Sequence, residues 1–454
     1  MCSKAALLQW IAESSTTLQP KIEQFRLQAR QHITSHAHTM ARPAYQVQIL
    51  DKSDYTKQFL VSVPSALPPL TSGAIRIQSR ILAVTSNTFL YARLGHLLHW
   101  WDVWAPIPSF PAPYHDGSKY GRISSWGYAE VIESMHDQVP QGTKLFGYFP
   151  IGDYPEILEI DIDAETGHVI ETSKRRQQLM NLYNRYQPFS PKTDLRDKEP
   201  RGWDSVMRVL FETSYLLNKY AFSWEGKQSH PMGIPAPTPW GEHDADLTNA
   251  VILLLGASGK TGLAFAYQLR HGRPAGTQPR KVVAIGSAAS RDFSKDTGLF
   301  DDVVLYSDYN HPDALKNLGI DKDAKVLLVN FAARGRADSD WFTALKAMSD
   351  RVTALLIGSD PKFNRRSELA ALAEDAKSGV VRGNASTLRD SAMAIEGQSK
   401  YFKGLEQDWA RFKEDVAVLG LKLEWGRGME ELRDGWNGLC TGRVSPTIGL
   451  VYEV

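Results

Sequence analysis

Cysteine is nearly missing from this chain. Cys2 and Cys440 are the only two in 454 residues. That excludes a disulfide framework and a structural zinc held by four thiolates, and it points to a reducing compartment. Net charge is missing too, since 52 lysines and arginines face 51 aspartates and glutamates. A broad basic face for nucleic acid is not expected from such a balance. No run reaches the ~18 apolar residues of a membrane span. The opening 1-MCSKAALLQWIAESS-15 is a poor signal peptide, because Gln9, Trp10 and Glu13 break its apolar patch. The stretch 449-GLVYEV-454 carries no recognisable address. The expectation is a cytoplasmic protein, monomer or homodimer, whose partner is a small molecule rather than nucleic acid or membrane.

What remains is ordinary globular material, 43% hydrophobic and 10% aromatic, and long enough to expect two cores. Leu7, Leu8, Ile11, Leu18, Ile22 and Phe25 recur at helical spacing, which predicts an N-terminal helical extension over 1–43. From about residue 44 the texture becomes short strand-like runs punctuated by proline and glycine. They are 45-YQVQIL-50, 58-QFLVSV-63, 74-AIRIQSRILAV-84, 128-YAEVIE-133 and 144-KLFGYFP-150. A polar stretch at 186–202 reads as a loop or linker, 203–222 as a helix, and 231–241 as a proline-rich loop. Strand and helix then alternate. Strands are predicted at 251–255, 281–286, 302–306, 325–331 and 352–358, with helices such as 262–270 and 340–349 between them. The pattern predicts an α/β fold with a doubly wound parallel sheet.

The chemistry concentrates in 256-GASGKTG-262, directly after the apolar run 251-VILLL-255. A nucleoside-triphosphate loop needs a glycine five positions before Gly259, and that place holds Leu254. Asn330 also stands where a magnesium-binding aspartate is expected. A serine-hydrolase elbow fails as well, because Gly256-Ala257-Ser258-Gly259 is followed by Lys260 instead of a glycine. Gly256, Gly259 and Gly262, between a buried strand and a helix, suit a dinucleotide pyrophosphate. Ser258, Lys260 and Thr261 belong to the same loop. The second strand, 281-KVVAIGSAASRDFSK-295, has no acid at its end to take the ribose hydroxyls of NAD. It offers Ser287, Arg291 and Lys295 instead, which suit the 2′-phosphate of NADPH, although solvated surface charges would look the same.

A β-rich unit followed by this sheet and a return segment resembles the medium-chain dehydrogenase/reductase superfamily, in its zinc-free quinone-oxidoreductase and enoyl-reductase branch. The stretch 74-AIRIQSRILAVTSNTFLYARLG-95 is similar to the strand and active-site helix of that superfamily, where an Asn and a Tyr follow the strand, here Asn87 and Tyr91. In 124-SSWGYAEVIESMHDQVPQGTKLFGYFP-150 the usual G-D-R-V phrase reads Gly142-Thr143-Lys144-Leu145. The phrases 86-SNTFLYARLG-95, Trp101-Asp102 and 144-KLFGYFP-150 look closer still to a microbial domain-of-unknown-function family allied to the superfamily. The resemblance covers about residues 45–454. It implies a GroES-like catalytic domain over 44–202, an NADP-binding Rossmann domain over 203–404 and a segment, 405–454, that completes the catalytic domain. It further implies Tyr91 as proton donor, Asn87 as an orienting residue and Asn330 beside the nicotinamide ribose. Zinc is not expected, because the zinc-dependent members use a cysteine and this β-rich unit has none.

His96, His99 and Asp102 stand at successive i, i+3 steps, which on a helix would gather two imidazoles and a carboxylate. A proton donor or a satisfied hydrogen bond is the simpler reading, and no metal ligand is assigned. Trp100, Trp101, Trp104, Phe110, Tyr114, Tyr120, Trp126 and Tyr128 crowd into a short span, mostly as core, with a few as flat walls for a conjugated substrate. The function expected is an NADPH-dependent, metal-independent reductase of a conjugated carbonyl, an enone, quinone or enoyl thioester. The alternative is a non-redox protein on the same scaffold, either an NADPH-binding sensor or an isomerase, lyase or cyclase.

Overall fold

The run VILLL at 251–255 is buried at every position, as a central strand covered on both faces must be. In the computed structural model, which describes residues 44–64, 66–358 and 380–454, it lies in a six-stranded parallel sheet. The strands before the sheet are β1 (Tyr45–Asp51), β2 (Asp54–Val63), β3 (Ala74–Val84), β4 (Tyr120–Gly121), β5 (Ser124–Ser134), β6 (Lys144–Pro150), β7 (Glu156–Ile162), β8 (Val169–Glu171) and β9 (Arg185–Phe189). The sheet itself holds β10 (Val251–Leu255), β11 (Lys281–Gly286), β12 (Asp302–Leu305), β13 (Lys325–Asn330), β14 (Arg351–Leu356) and β15 (Val381–Arg382). Last come β16 (Lys422–Arg427) and β17 (Ile448–Glu453). The expected N-terminal helices lie outside the described residues.

The sheet runs β12-β11-β10-β13-β14-β15. Its order reverses at β10, so a crevice opens between β10 and β13 at their carboxyl ends. Alternate residues serve two cores. Ile252 and Leu254 join a large core shared with the strands of the first half. Val251, Leu253 and Leu255 join a second one with Trp341 and Leu345. This is the two-residue period of a strand with helices on both faces.

The first half closes on itself. β3 pairs antiparallel with β5 along its length. The residues Ala74–Ile77 also pair with β7, and Ile81–Val84 pair with β17. With β5-β6-β9-β8-β7 in sequence, the ring β3 to β7 is complete, which is the GroES-like barrel expected. Register shifts at Arg76/Ile77 and Ser79/Ile81 bend β3 enough to serve both edges. Barrel and sheet belong to one compact unit, Gln46–Val63 with Leu67–Val454.

The polar stretch at 186–202 differs from its reading as a loop. Arg185–Phe189 is the strand β9, and Lys198 already begins a helix that runs to Leu216. Lys144, Leu145 and Phe146 supply the backbone partners of β9, so this strand exists because of residues about forty positions upstream. Further along, Asp204 on the helix ties the halves together. Its carboxylate accepts from Tyr128 Oη of β5 at 2.7 Å, from Trp409 Nε1 at 2.8 Å and from Lys413 Nζ at 3.1 Å. Burial alone would raise this carboxyl, yet Arg208 and Lys413 hold it below its ordinary value.

Asp204→Asn should therefore cost about 3–5 kcal/mol, the scale of removing one partner from a buried ionic cluster. The check is urea unfolding of the two proteins. Because the folded carboxyl is lowered, the difference should be full at neutral pH and shrink as acid protonates Asp204.

Candidate active site

The strand β3 runs into Thr85, whose N–H donates to Thr88 Oγ1 at 3.1 Å, and the helix Ser86–Arg93 begins. Thr88, Phe89, Tyr91 and Ala92 form its buried face. Asn87 and Tyr91, four apart, are neighbours on the helix surface, and Asn87 Nδ2 donates to the Tyr91 oxygen at 2.8 Å. Trp126 Nε1, from β5, donates to the same oxygen at 2.8 Å. Tyr91 is 3% exposed, and its ring meets Trp100 at 4.8 Å, Tyr148 at 4.9 Å and Tyr183 at 5.8 Å, each edge-on. Burial raises the phenol far above its ordinary value, so it is a neutral donor at physiological pH.

Opposite stands the glycine loop. Gly256 has φ +72°, and a Cβ there would lie 3.0 Å from the Ala332 nitrogen. Only glycine supplies that backbone and that approach to the chain leaving β13. A Cβ on Gly262 would meet the Gly256 oxygen at 3.0 Å, so the helix Lys260–His271 packs tightly on the loop. Gly259 is its N-cap and brings no side-chain hydrogen bond. The first N–H groups of a helix have no intrahelical acceptor, and here they meet the cleft.

The cleft holds about 330 Å³. One wall contains Asn87, Tyr91, Trp100 and Trp126, and the other contains Gly256, Gly259, Lys260, Thr261 and Gly262. Among the described residues no carboxylate, imidazole or thiol lines it. The available donors are thus hydroxyls, amides, indoles, Arg93 and Lys260. The Lys260 ammonium donates to the carbonyls of Pro446 at 3.1 Å and Ile448 at 2.7 Å, leaving one of its three N–H groups for a ligand. Burial lowers it to about 8.

The other expected residues lie elsewhere. Ser258, half-buried in the loop, is off the cleft wall. Ser287 follows β11, beside the glycine loop, whose Gly256 N–H donates to the Ile285 carbonyl at 3.1 Å. Arg291 and Lys295 follow it, exposed. Asn330 is turned away, its amide donating to Asp338 at 3.2 Å and its oxygen accepting from Ala333 N–H at 2.7 Å. Phe331 and Ala332 form the cleft wall at that point.

His96, His99 and Asp102 do not share a helix face. The helix ends at Arg93, His99 is left-handed with φ 60°, and only the pair His99 Nδ1 and Asp102 Oδ2 meets, at 2.9 Å. Among the described residues no three His, Cys, Asp or Glu side chains are grouped to hold a metal ion. Of the crowded aromatics, Trp100 and Trp126 reach the cleft while Trp101, Trp104, Phe110 and Tyr128 are core. Tyr183 and Ser386 also line it. Neither carries a local motif, and tertiary folding alone brings them in.

This geometry has relatives. The family described as "Protein of unknown function (DUF2855)" matches residues 82–445. The chain belongs to that family. The match agrees with the expectation drawn from the phrases at 86–95 and 144–150. A search of curated protein sequences gives no match. Among solved structures, CurA of Vibrio vulnificus, in complex with NADPH, is similar over 90% of this chain and 99% of its own at 13% identity, with a TM-score of 0.50. A mutant form of enoyl thioester reductase from Candida tropicalis aligns over 90% of this chain and 100% of its own at 12% identity, TM-score 0.49. The likeness is one of fold, a GroES-like barrel with a parallel sheet flanked by helices, and no helix among the described residues is long and apolar enough to cross a membrane.

An anionic ligand in the glycine loop should bind more weakly as pH rises through about 8, where Lys260 loses its proton. Affinity should be flat below that value and fall roughly one to two decades above it, the scale of a charge-assisted hydrogen bond. Titrating pyrophosphate or a dinucleotide across pH checks this, and Lys260→Met should flatten the profile.

Proposed function

We propose that this protein is an NADPH-dependent reductase that delivers a hydride to a conjugated carbonyl, an enone, a quinone or an enoyl thioester, without a metal. One observation carries the reading. A glycine-lined helix N-terminus, suited to a pyrophosphate, opens on the same cleft as a buried phenol polarised by two N–H donors. CurA, of the same fold, was solved with NADPH, which supports the choice of cofactor.

Thr261 and Gly262, at the start of the helix, would hold the pyrophosphate through backbone N–H groups, with Lys260 adding charge. Gly256 and Gly259, whose own N–H groups bond the Ile285 and Gly256 carbonyls, would give it room. Ser287 and Arg291 would take the 2′-phosphate. Bound NADPH supplies the hydride. Tyr91 then donates its proton as the electron pair moves toward the carbonyl oxygen, and the N–H groups of Asn87 and Trp126 stabilise the phenolate left behind. With no carboxylate or imidazole among the described lining residues, and with Lys260 tied to the Pro446 and Ile448 carbonyls beside the glycine loop, Tyr91 is the acid best placed for this step. The aromatic wall suits a flat substrate and keeps water from the reacting atoms.

Purified protein should oxidise NADPH only when an electron-poor alkene or quinone is present. Tyr91→Phe should lower kcat by about 10²-fold or more while NADPH affinity holds, since general acids contribute on that scale. NADPH binding without consumption across a broad acceptor panel would favour a sensor instead.

The cofactor preference is separately testable. NADPH should bind at least about tenfold tighter than NADH, and Arg291→Ala should lose most of that difference while NADH binding hardly changes. Equal affinity for both cofactors in the wild type would remove Arg291 and Ser287 from the site.

A further inference from the structure

The Tyr91 oxygen accepts two N–H bonds, which occupies both lone pairs of a neutral phenol. The third position around that oxygen belongs to its own proton. Tyr183 stands beside it. This residue comes from the short turn Asn181–Asn184 between β8 and β9 and is 7% exposed. Its ring is boxed by Trp100 at 5.5 Å, Trp126 at 6.0 Å and Tyr148 at 4.9 Å. A hydroxyl inside such an apolar box costs stability unless it is hydrogen-bonded. The Tyr91 ring lies 5.8 Å from that of Tyr183, and the turn is tied to the helix that carries Ser386 by Asn181 Nδ2 donating to Asp390 at 3.0 Å. Tyr91, Tyr183 and Ser386 all line the same cleft, so the Tyr91 and Ser386 hydroxyls flank that of Tyr183. Ser386 opens the helix Ala385–Glu396 that follows β15, and the Asn384 carboxamide oxygen holds its N–H at 2.9 Å. The three hydroxyls thus run from the barrel side of the cleft to the nucleotide sheet.

We propose that Tyr183 and Ser386 form a hydroxyl relay that acts through Tyr91, steadying its phenolate and returning its proton. The inference rests on the reductase reading above. Tyr91 gives its proton to the substrate as the hydride arrives at the β-carbon. The Tyr183 O–H bond then breaks and a new O–H bond forms at Tyr91. Tyr183 takes the Ser386 proton in turn, and solvent water reprotonates Ser386. No electrons move in the relay, and the net consumption is the one proton that reduction by NADPH requires. Tyr183 is a positioning residue in this scheme, since it touches Tyr91 and not the reacting atoms.

The test uses the full chain, NADPH, and a small enone or quinone that the wild type reduces. Tyr183→Phe should lower kcat by about tenfold or more, leave KM and NADPH affinity within about twofold, and enlarge the solvent deuterium effect on kcat. Ser386→Ala should shift kcat in the same direction by less, and Ser386→Thr should restore it. The double variant Tyr91→Phe/Tyr183→Phe should be no slower than Tyr91→Phe alone, because the relay has nothing to serve once its acceptor is gone. Unchanged kcat in Tyr183→Phe, or losses that multiply in the double variant, would overturn the relay while the reductase reading stands. If Tyr183→Phe melts too early to assay, the Ser386 pair decides alone. Equal kcat in Ser386→Ala and wild type then overturns the proposal. A wild type that consumes no NADPH with any acceptor would fail the reductase reading itself, and the relay with it.

Discussion

Much of this molecule depends on how closely two stretches of backbone approach at the carboxyl ends of β10 and β13. Gly256 leaves β10 with φ +72° and passes where a Cβ would be 3.0 Å from the Ala332 nitrogen. That contact lies at the point where the strand order reverses. It turns the chain sharply enough for the helix Lys260–His271 to begin with its free N–H groups toward the crevice. Even an alanine would need both a strained backbone and a shift of the chain after β13. The cradle, the position of Lys260 and the cleft wall at Phe331 and Ala332 all follow from this one approach.

The barrel supplies the other half of the site by an analogous constraint. Its strand β3 must serve β5 and β7 at one end and β17 at the other, and its bulges make that possible. The end of β3 is therefore anchored from both sides, and the helix Ser86–Arg93 that follows inherits a defined direction. Tyr91 is aimed by that helix and held by Trp126, a residue of the strand paired to β3. The acid candidate is thus set by backbone pairing, not by a mobile loop. Such placement on rigid elements suits chemistry that needs reacting groups within a fraction of an ångström.

Much of this was legible in the residues. The strand VILLL and the helix after the spaced glycines could be read from the residues, and Asn87 and Tyr91 were picked out together through the family resemblance, though their hydrogen bond was not. The strands β7, β8 and β9 were not legible. EILEIDI and the segment around Arg185–Phe189 carry charges that suit a loop equally well, and only their distant partners make them strands. The imidazole face at His96, His99 and Asp102 failed because periodicity says nothing of where a helix stops, and this one stops at Arg93. Asn330 was drawn toward the cofactor by analogy, whereas its amide serves the turn into the next helix through Asp338 and Ala333. Tyr183 and Ser386 had no local signal at all. Residues brought together by folding from more than 200 positions apart leave no spacing to read.

The central claim is that a hydride crosses this cleft from cofactor to a conjugated substrate while a proton comes from the protein. The most direct measurement is a single turnover with an enone or enoyl thioester as acceptor and NADPH carrying deuterium at the transferable position of its nicotinamide, followed by mass analysis of the product. The account predicts one deuterium at the β-carbon of the reduced substrate and, when the reaction is run in heavy water, a second acquired from solvent through the hydroxyls. Oxidised cofactor with no label in the product would contradict it.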